Sequence, residues 1–145
     1  MTNRENIKQL VLEATLNELP RLTDFLEGLE EEWQWEPSLT YGLNLVLEEA
    51  ITNTISYGYQ EPAGHTIDLI FERNEALLTI TVRDDGVAYD PTRHTDPDIT
   101  LPAEDRPIGG LGILLIKKLM DTVTYKRENE YNHLILTKII TPWGK

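Results

Sequence analysis

A chain of 145 residues, 40% of them hydrophobic, can bury one sizeable core without subdividing and is not a disordered polymer. Its formal net charge of −12 opposes general binding to nucleic acid or to anionic membranes, because phosphate surfaces attract Lys and Arg. With no cysteine there is no disulfide framework and no thiolate metal site, and no apolar run approaches the roughly 20 residues that cross a bilayer. The polar start, Met1-Thr2-Asn3-Arg4-Glu5-Asn6, is unlike a secretory signal, so the expected address is cytoplasmic.

In chain order, Ile7 to Ala14 reads as a first strand. Thr15 or Asn17 can cap a helix that turns Leu16, Leu19, Leu22, Leu26, Leu29 and Trp33 inward, with Pro20 in its first turn. The acidic residues Glu27, Glu30, Glu31, Glu32 and Glu36 crowd its far end. They form either a solvated face that aids solubility or a docking face for a basic protein, and the sequence leaves both open.

Pro37 and Ser38 open a second helix that runs to about Tyr57 and stops at Gly58. At helical pitch Leu39, Leu43, Val46, Ala50 and Tyr57 form one apolar stripe, and Asn53 falls inside it. Glu49 sits at the edge of the stripe one turn from Asn53, while Glu48 points to the opposite side. A polar pair on an apolar face is costly unless something satisfies it.

Two alternating strands follow, one with Ile67, Leu69 and Phe71 and one with Leu78, Ile80 and Val82, joined by a turn at Arg73-Asn74-Glu75. The stretch from Asp90 to Pro107 carries Pro91, Pro97, Pro102 and Pro107 without periodicity, which suits a functional loop or lid over about 91–109. Gly109-Gly110-Leu111-Gly112 then opens an apolar helix through Met120. Val123 to Arg127 and His133 to Ile140 close the chain as a hairpin around Asn129-Glu130. This order predicts a single α+β domain over 1–145: a two-layer sandwich with one mostly antiparallel, mixed sheet and about three helices on one face.

Three motifs carry chemistry suited to a nucleotide. Asn53 offers an amide oxygen, a hard ligand for Mg²⁺, and Glu49 beside it could take a proton from an attacking hydroxyl. Asp84, in Asp84-Asp85-Gly86, could accept a hydrogen bond from the exocyclic amine of adenine, and Gly86 would let the backbone approach the base. Gly110-Leu111-Gly112 frees backbone N–H groups at a helix N-terminus, where phosphate finds partial positive charge. Arg106 and Arg93 are the cations in the lid able to fork onto a phosphate, Arg106 the preferred one. Singly each motif has a bland counterpart: a surface pair, a turn, a flexible helix start. Their order along the chain separates them from those counterparts.

Together Glu49-x-x-x-Asn53, Asp84-x-Gly86 and Gly110-x-Gly112 resemble the N, G1 and G2 boxes of the GHKL (Bergerat-fold) ATPases. Within that superfamily the chain is most similar to the small anti-sigma factor serine/threonine kinases. Tyr57-Gly58-Tyr59, Val87-Ala88-Tyr89-Asp90-Pro91 and Lys118-Leu119-Met120-Asp121 extend the likeness over nearly the whole chain. The resemblance implies ATP bound between helices and lid, Mg²⁺ bridging Asn53 and the phosphates, and Glu49 activating a hydroxyl. The implied substrate is a small STAS-type anti-sigma-factor antagonist, with a sigma factor as second partner and a homodimer as the usual state. The chain departs from the family pattern at Ala88 (commonly glycine), at Tyr57 (often histidine) and in having no lysine in the lid.

An alternative of a different class is a module that binds ATP and sequesters a partner without modifying it. A plain acidic α+β domain is a third reading. His65, His94 and His133 read as ordinary polar residues rather than phosphoacceptors.

Overall fold

The computed structural model describes residues 6–93 and 110–140. Strand β1 (Ile7–Glu13) is followed by a 3-10 turn at Leu16–Glu18, helix α1 (Leu19–Trp33) and helix α2 (Pro37–Gly58). Strands β2 (Thr66–Asn74) and β3 (Leu77–Asp84), a 3-10 turn at Pro91–Arg93, helix α3 (Gly110–Leu119) and strands β4 (Thr122–Glu128) and β5 (Tyr131–Ile139) complete the chain. The sheet order is β1-β2-β3-β5-β4, and every pair is antiparallel, so among the described residues the sheet has no parallel component.

Local chemistry sets these boundaries. Thr15 caps the 3-10 turn by accepting from the Asn17 N–H, and Pro20 stands in the first turn of α1, where its missing donor costs nothing. Gln34 ends α1 in the left-handed conformation, its N–H donating to the Glu30 carbonyl at 2.9 Å. Pro37 opens α2. The β4–β5 hairpin turns on Asn129 and Glu130, both at positive φ, the geometry that a tight two-residue hairpin demands. The β2–β3 turn lies at Glu75-Ala76, one to two residues beyond the place predicted from alternation, with Glu75 at φ 56.

The inward face of the sheet is built in rows across the strands. One row is Leu10, Leu69, Val82 and Leu134 in register. The helices cover this face: Leu22, Leu26 and Leu29 of α1 and Leu43, Val46, Leu47, Ala50 and Ile51 of α2 are buried with it. Burial of this kind supplies the main driving force for folding. The buried surface of α2 is wider than the expected stripe, since Leu47 and Ile51 are buried too while Leu39 and Tyr57 are only partly so. The cause is packing: α2 touches α1, α3 and β3 together. Glu48 faces α1, accepting from Asn44 at 2.9 Å, whose own amide oxygen accepts from Thr23 of α1.

The leucine-rich helix faces are thus consumed by the chain's own sheet. The opposite sheet face carries exposed Ile7, Val11, Leu77 and Ile139. No described helix is long and apolar enough to cross a membrane.

Candidate nucleotide site

The next inward row runs Leu12, Ile67, Asp84, Asn132 and Arg127. It begins apolar and turns polar at the ends of the central strands. Asp84 and Asn132 are buried there, 6% and 5% exposed, in positions where β-sheet alternation would otherwise place hydrophobic residues. Buried polar groups in such places must find partners. Asp84 Oδ1 accepts from the Gly86 N–H at 2.9 Å and from Asn132 Nδ2 at 3.0 Å.

A pocket opens at this corner, with about 420 Å³ of atom-free space including its mouth. Asn53 and Ala50 of α2, Asp84 at the end of β3, Ile116 of α3 and Asn132 of β5 are among its walls. The structure therefore brings Asn53 and Asp84 into one cavity, although they are far apart in sequence. Asn53 is 8% exposed, and its carboxamide makes no hydrogen bond to another described side chain. A hard cation or a phosphate-bound water would satisfy it. The Asn53 amide oxygen is a hard donor of the kind that Mg²⁺ accepts, an ion that takes few protein ligands and keeps waters.

Glu49 lies on α2 one helical turn from Asn53, partly buried and outside the pocket wall. Gly110, Leu111 and Gly112 form the first turn of α3, as the motif predicted. Arg93 ends the 3-10 turn after β3, where Asp90 accepts from the Thr92 N–H at 2.9 Å. Arg106 and most of the expected lid lie outside the described residues.

Gly86 also has a packing role that the sequence did not announce. A Cβ there would stand 2.5 Å from the Gly58 carbonyl oxygen, so glycine at 86 permits a close approach to the end of α2. The Val87 N–H donates to the same Gly58 oxygen at 2.9 Å, clamping the β3 exit to the α2 terminus.

Around this corner the electrostatics are strongly shaped. Burial pushes the Asp84 carboxyl above its ordinary range, with Asp85 adding to the rise; the hydrogen bonds from Asn132 and Gly86 and the nearby Arg127 pull the other way. Asp85 faces outward, accepting from the Tyr59 hydroxyl at 2.9 Å and contacting His65 Nδ1 at 3.1 Å. Burial, and then that hydrogen bond, raises the Tyr59 phenol well above its usual value, so it remains a donor. Tyr57 stacks on Tyr89 with centroids 5.2 Å apart, and its buried hydroxyl has no hydrogen-bond partner among the described residues.

Sequence reasoning missed Asn132, Tyr125 and Arg127. The turn residues Asn129-Glu130 would have placed Asn132 opposite Arg127. Nothing local in the sequence reports that Asn132 also pairs with Asp84, 48 residues away.

A helical layer on an antiparallel sheet, with a buried Asn on the central helix and a buried Asp at a central strand end around one cavity, is the arrangement of a nucleotide-binding kinase-type ATPase domain. The chain belongs to the histidine kinase-like ATPase domain family, whose pattern matches residues 12–138. It is 29% identical over 118 residues to a serine/threonine-protein kinase, BtrW, of Bordetella bronchiseptica, covering 81% of this chain and 83% of that one. It is 35% identical over 102 residues to the serine-protein kinase RsbW of Bacillus thuringiensis, covering 68% of this chain and 62% of that relative's length. The fold is similar to the RsbU and RsbW domains of a Mycobacterium tuberculosis protein, with a TM-score of 0.66 at 13% identity over 96% of this chain and 34% of that one. It is also similar to the histidine kinase domain of a blue-light-activated kinase from Erythrobacter litoralis, with a TM-score of 0.53 at 14% identity, covering 86% of this chain and 60% of that one.

Proposed function

We propose that this protein is an ATP-dependent protein serine/threonine kinase that phosphorylates a small STAS-type anti-sigma-factor antagonist, and that it acts as an anti-sigma regulatory factor in a partner switch. The observation that carries the reading is the convergence of Asn53 and Asp84 on one pocket, whose wall also includes Ile116 of α3. Its similarity to the Bordetella serine/threonine-protein kinase and the Bacillus serine-protein kinase supports it.

In this reading Asp84 accepts from the exocyclic amine of adenine, and the first turn of α3 at Gly110, Leu111 and Gly112 receives phosphate through its free N–H groups. Asn53 would hold Mg²⁺ together with phosphate oxygens, and that ion would supply neutralising charge on the phosphates. Glu49 takes the proton of the attacking serine or threonine hydroxyl. Arg106 is the cation assigned to the phosphates, from the lid. A sigma factor is the second partner, held when the antagonist is phosphorylated. The working compartment is the cytoplasm.

The place of Glu49 outside the pocket wall favours one other reading, an ATP-dependent sequestering module that modifies nothing. Incubating the protein with Mg-ATP and a candidate STAS-type antagonist, followed by intact mass spectrometry, separates them. A mass gain of one phosphoryl group on the antagonist supports the kinase. Stable ATP-dependent complex formation with no mass gain supports the module.

A further inference from the structure

Asn132 lines the pocket, yet its hydrogen-bonding capacity is already spent within the protein. A carboxamide has two N–H donors and an oxygen with two lone pairs. Nδ2 donates to Asp84 Oδ1 at 3.0 Å and to the Val87 carbonyl at 2.9 Å, with the Gly86 carbonyl further off at 3.5 Å. Oδ1 accepts from the Tyr125 hydroxyl and from Arg127 Nη1 at 3.1 Å, with the Tyr89 N–H at 3.5 Å. Nothing remains for a ligand, so any effect of Asn132 on a ligand passes through its partners.

The orientation of the amide is fixed by the same contacts. Rotated by half a turn, its NH₂ would face the Arg127 guanidinium, and its oxygen would face a carboxylate and a carbonyl. Arg127 excludes that state and also ties the β4–β5 hairpin to the loop after β3, donating to the Gly86 carbonyl at 2.7 Å. With Gly86 and Asn132 both on Oδ1, Asp84 keeps Oδ2 as the one carboxylate oxygen without a protein donor among the described residues.

We propose that Asn132 is a positioning residue for base selection: locked by Tyr125 and Arg127, it holds Asp84 so that a bare acceptor oxygen meets the base. The inference rests on the adenine-nucleotide reading of this pocket and deepens it. An acceptor fixed there suits a base with an amine at the contacted edge and opposes one with a carbonyl. An apolar residue at 132 would continue the hydrophobic row begun by Leu12 and Ile67, so filling the core does not by itself account for an amide held by so many contacts.

The test uses the full chain, with melting temperature measured without ligand and with ATP and GTP affinities measured by calorimetry. Asn132→Asp keeps an oxygen for Tyr125 and Arg127 but replaces the donor to Asp84 by a second acceptor. The double variant Tyr125→Phe/Arg127→Met leaves Asn132 in place but unlocked, and decides the matter if Asn132→Asp does not fold. The expected result is an ATP affinity lower by about tenfold or more in Asn132→Asp and by about threefold in the double variant. GTP affinity stays unchanged in both, so the preference for ATP shrinks. Loss of both nucleotides in proportion to a lowered melting temperature would make Asn132 merely structural and overturn the proposal. Wild-type preference for ATP that both variants retain would overturn it as well, leaving the pocket's assignment intact. A folded wild type that binds neither nucleotide defeats the underlying reading instead.

Discussion

Gly86 and Gly58 meet backbone to backbone, leaving no room for a side chain at 86: a Cβ there would lie 2.9 Å from the Gly58 Cα and closer still to its carbonyl oxygen. Gly86→Ala must therefore push the β3 exit away from the end of α2, and with it the Gly86 N–H that serves Asp84. Overpacking of this kind costs about 1–3 kcal/mol. Calorimetric unfolding should show a melting temperature lower by several degrees. Gly28, exposed on helix α1 with nothing within 4 Å of its Cβ position, is the control. Gly28→Ala should stabilise by about 0.5–1 kcal/mol through helix propensity.

Asp84→Asn should separate stability from binding. The folded carboxyl titrates above its unfolded value, here taken as 3.8, so ionised Asp84 works against folding. Stability that is fully present below that value is lost as pH rises through the folded pKa. Asparagine keeps an acceptor for Gly86 and Asn132 without the buried charge. The variant should melt higher than wild type at pH 7, with the advantage shrinking as pH falls through the raised pKa and gone once Asp84 is protonated in both states. Thermal melts from pH 3 to pH 8 check the sign; a variant less stable at pH 7 would contradict it.

Glu49→Ala should abolish phosphoryl transfer while leaving ATP affinity within about twofold, because a general base contributes to the chemical step and not to ground-state binding. Single-turnover transfer to the antagonist, measured beside calorimetric ATP affinity, is the check. An unchanged transfer rate removes Glu49 from the mechanism.

Asn53→Ala should act through the metal. In the wild type Mg²⁺ should strengthen ATP binding, and in the variant the affinities with Mg²⁺ and with chelator should converge. A magnesium effect of the same size in both proteins would show that Asn53 does not serve the ion.

Much of the architecture was legible because it rests on local signals. Alternation in Ile67–Phe71 and Leu78–Val82, Pro37 and Gly58 at the ends of α2, and the turn at Asn129-Glu130 each fix an element without reference to the rest of the chain. The family membership followed from motif order, and Asn53 and Asp84 do share a cavity. What stayed hidden depends on pairing over distance. Asn132 reads as an ordinary polar strand residue until the β3–β5 register sets it against Asp84. The wide buried surface of α2, including Leu47 and Ile51, arises because several elements pack around it, which a single-stripe reading does not register. The packing reason for Gly86 was hidden for the same cause, since its neighbour Gly58 lies 28 residues back along the chain.

The most direct test of the central claim is thermal stability with ATP, ADP and GTP, each with and without Mg²⁺, for wild type and Asp84→Asn. Ligand at a hundred times its dissociation constant adds about 2.7 kcal/mol, a readily measured shift. Stabilisation of the wild type by adenine nucleotides alone, lost or much reduced in Asp84→Asn, is the predicted result. No shift at millimolar ATP, or equal shifts with GTP and in the variant, would contradict the assignment of this pocket to adenine.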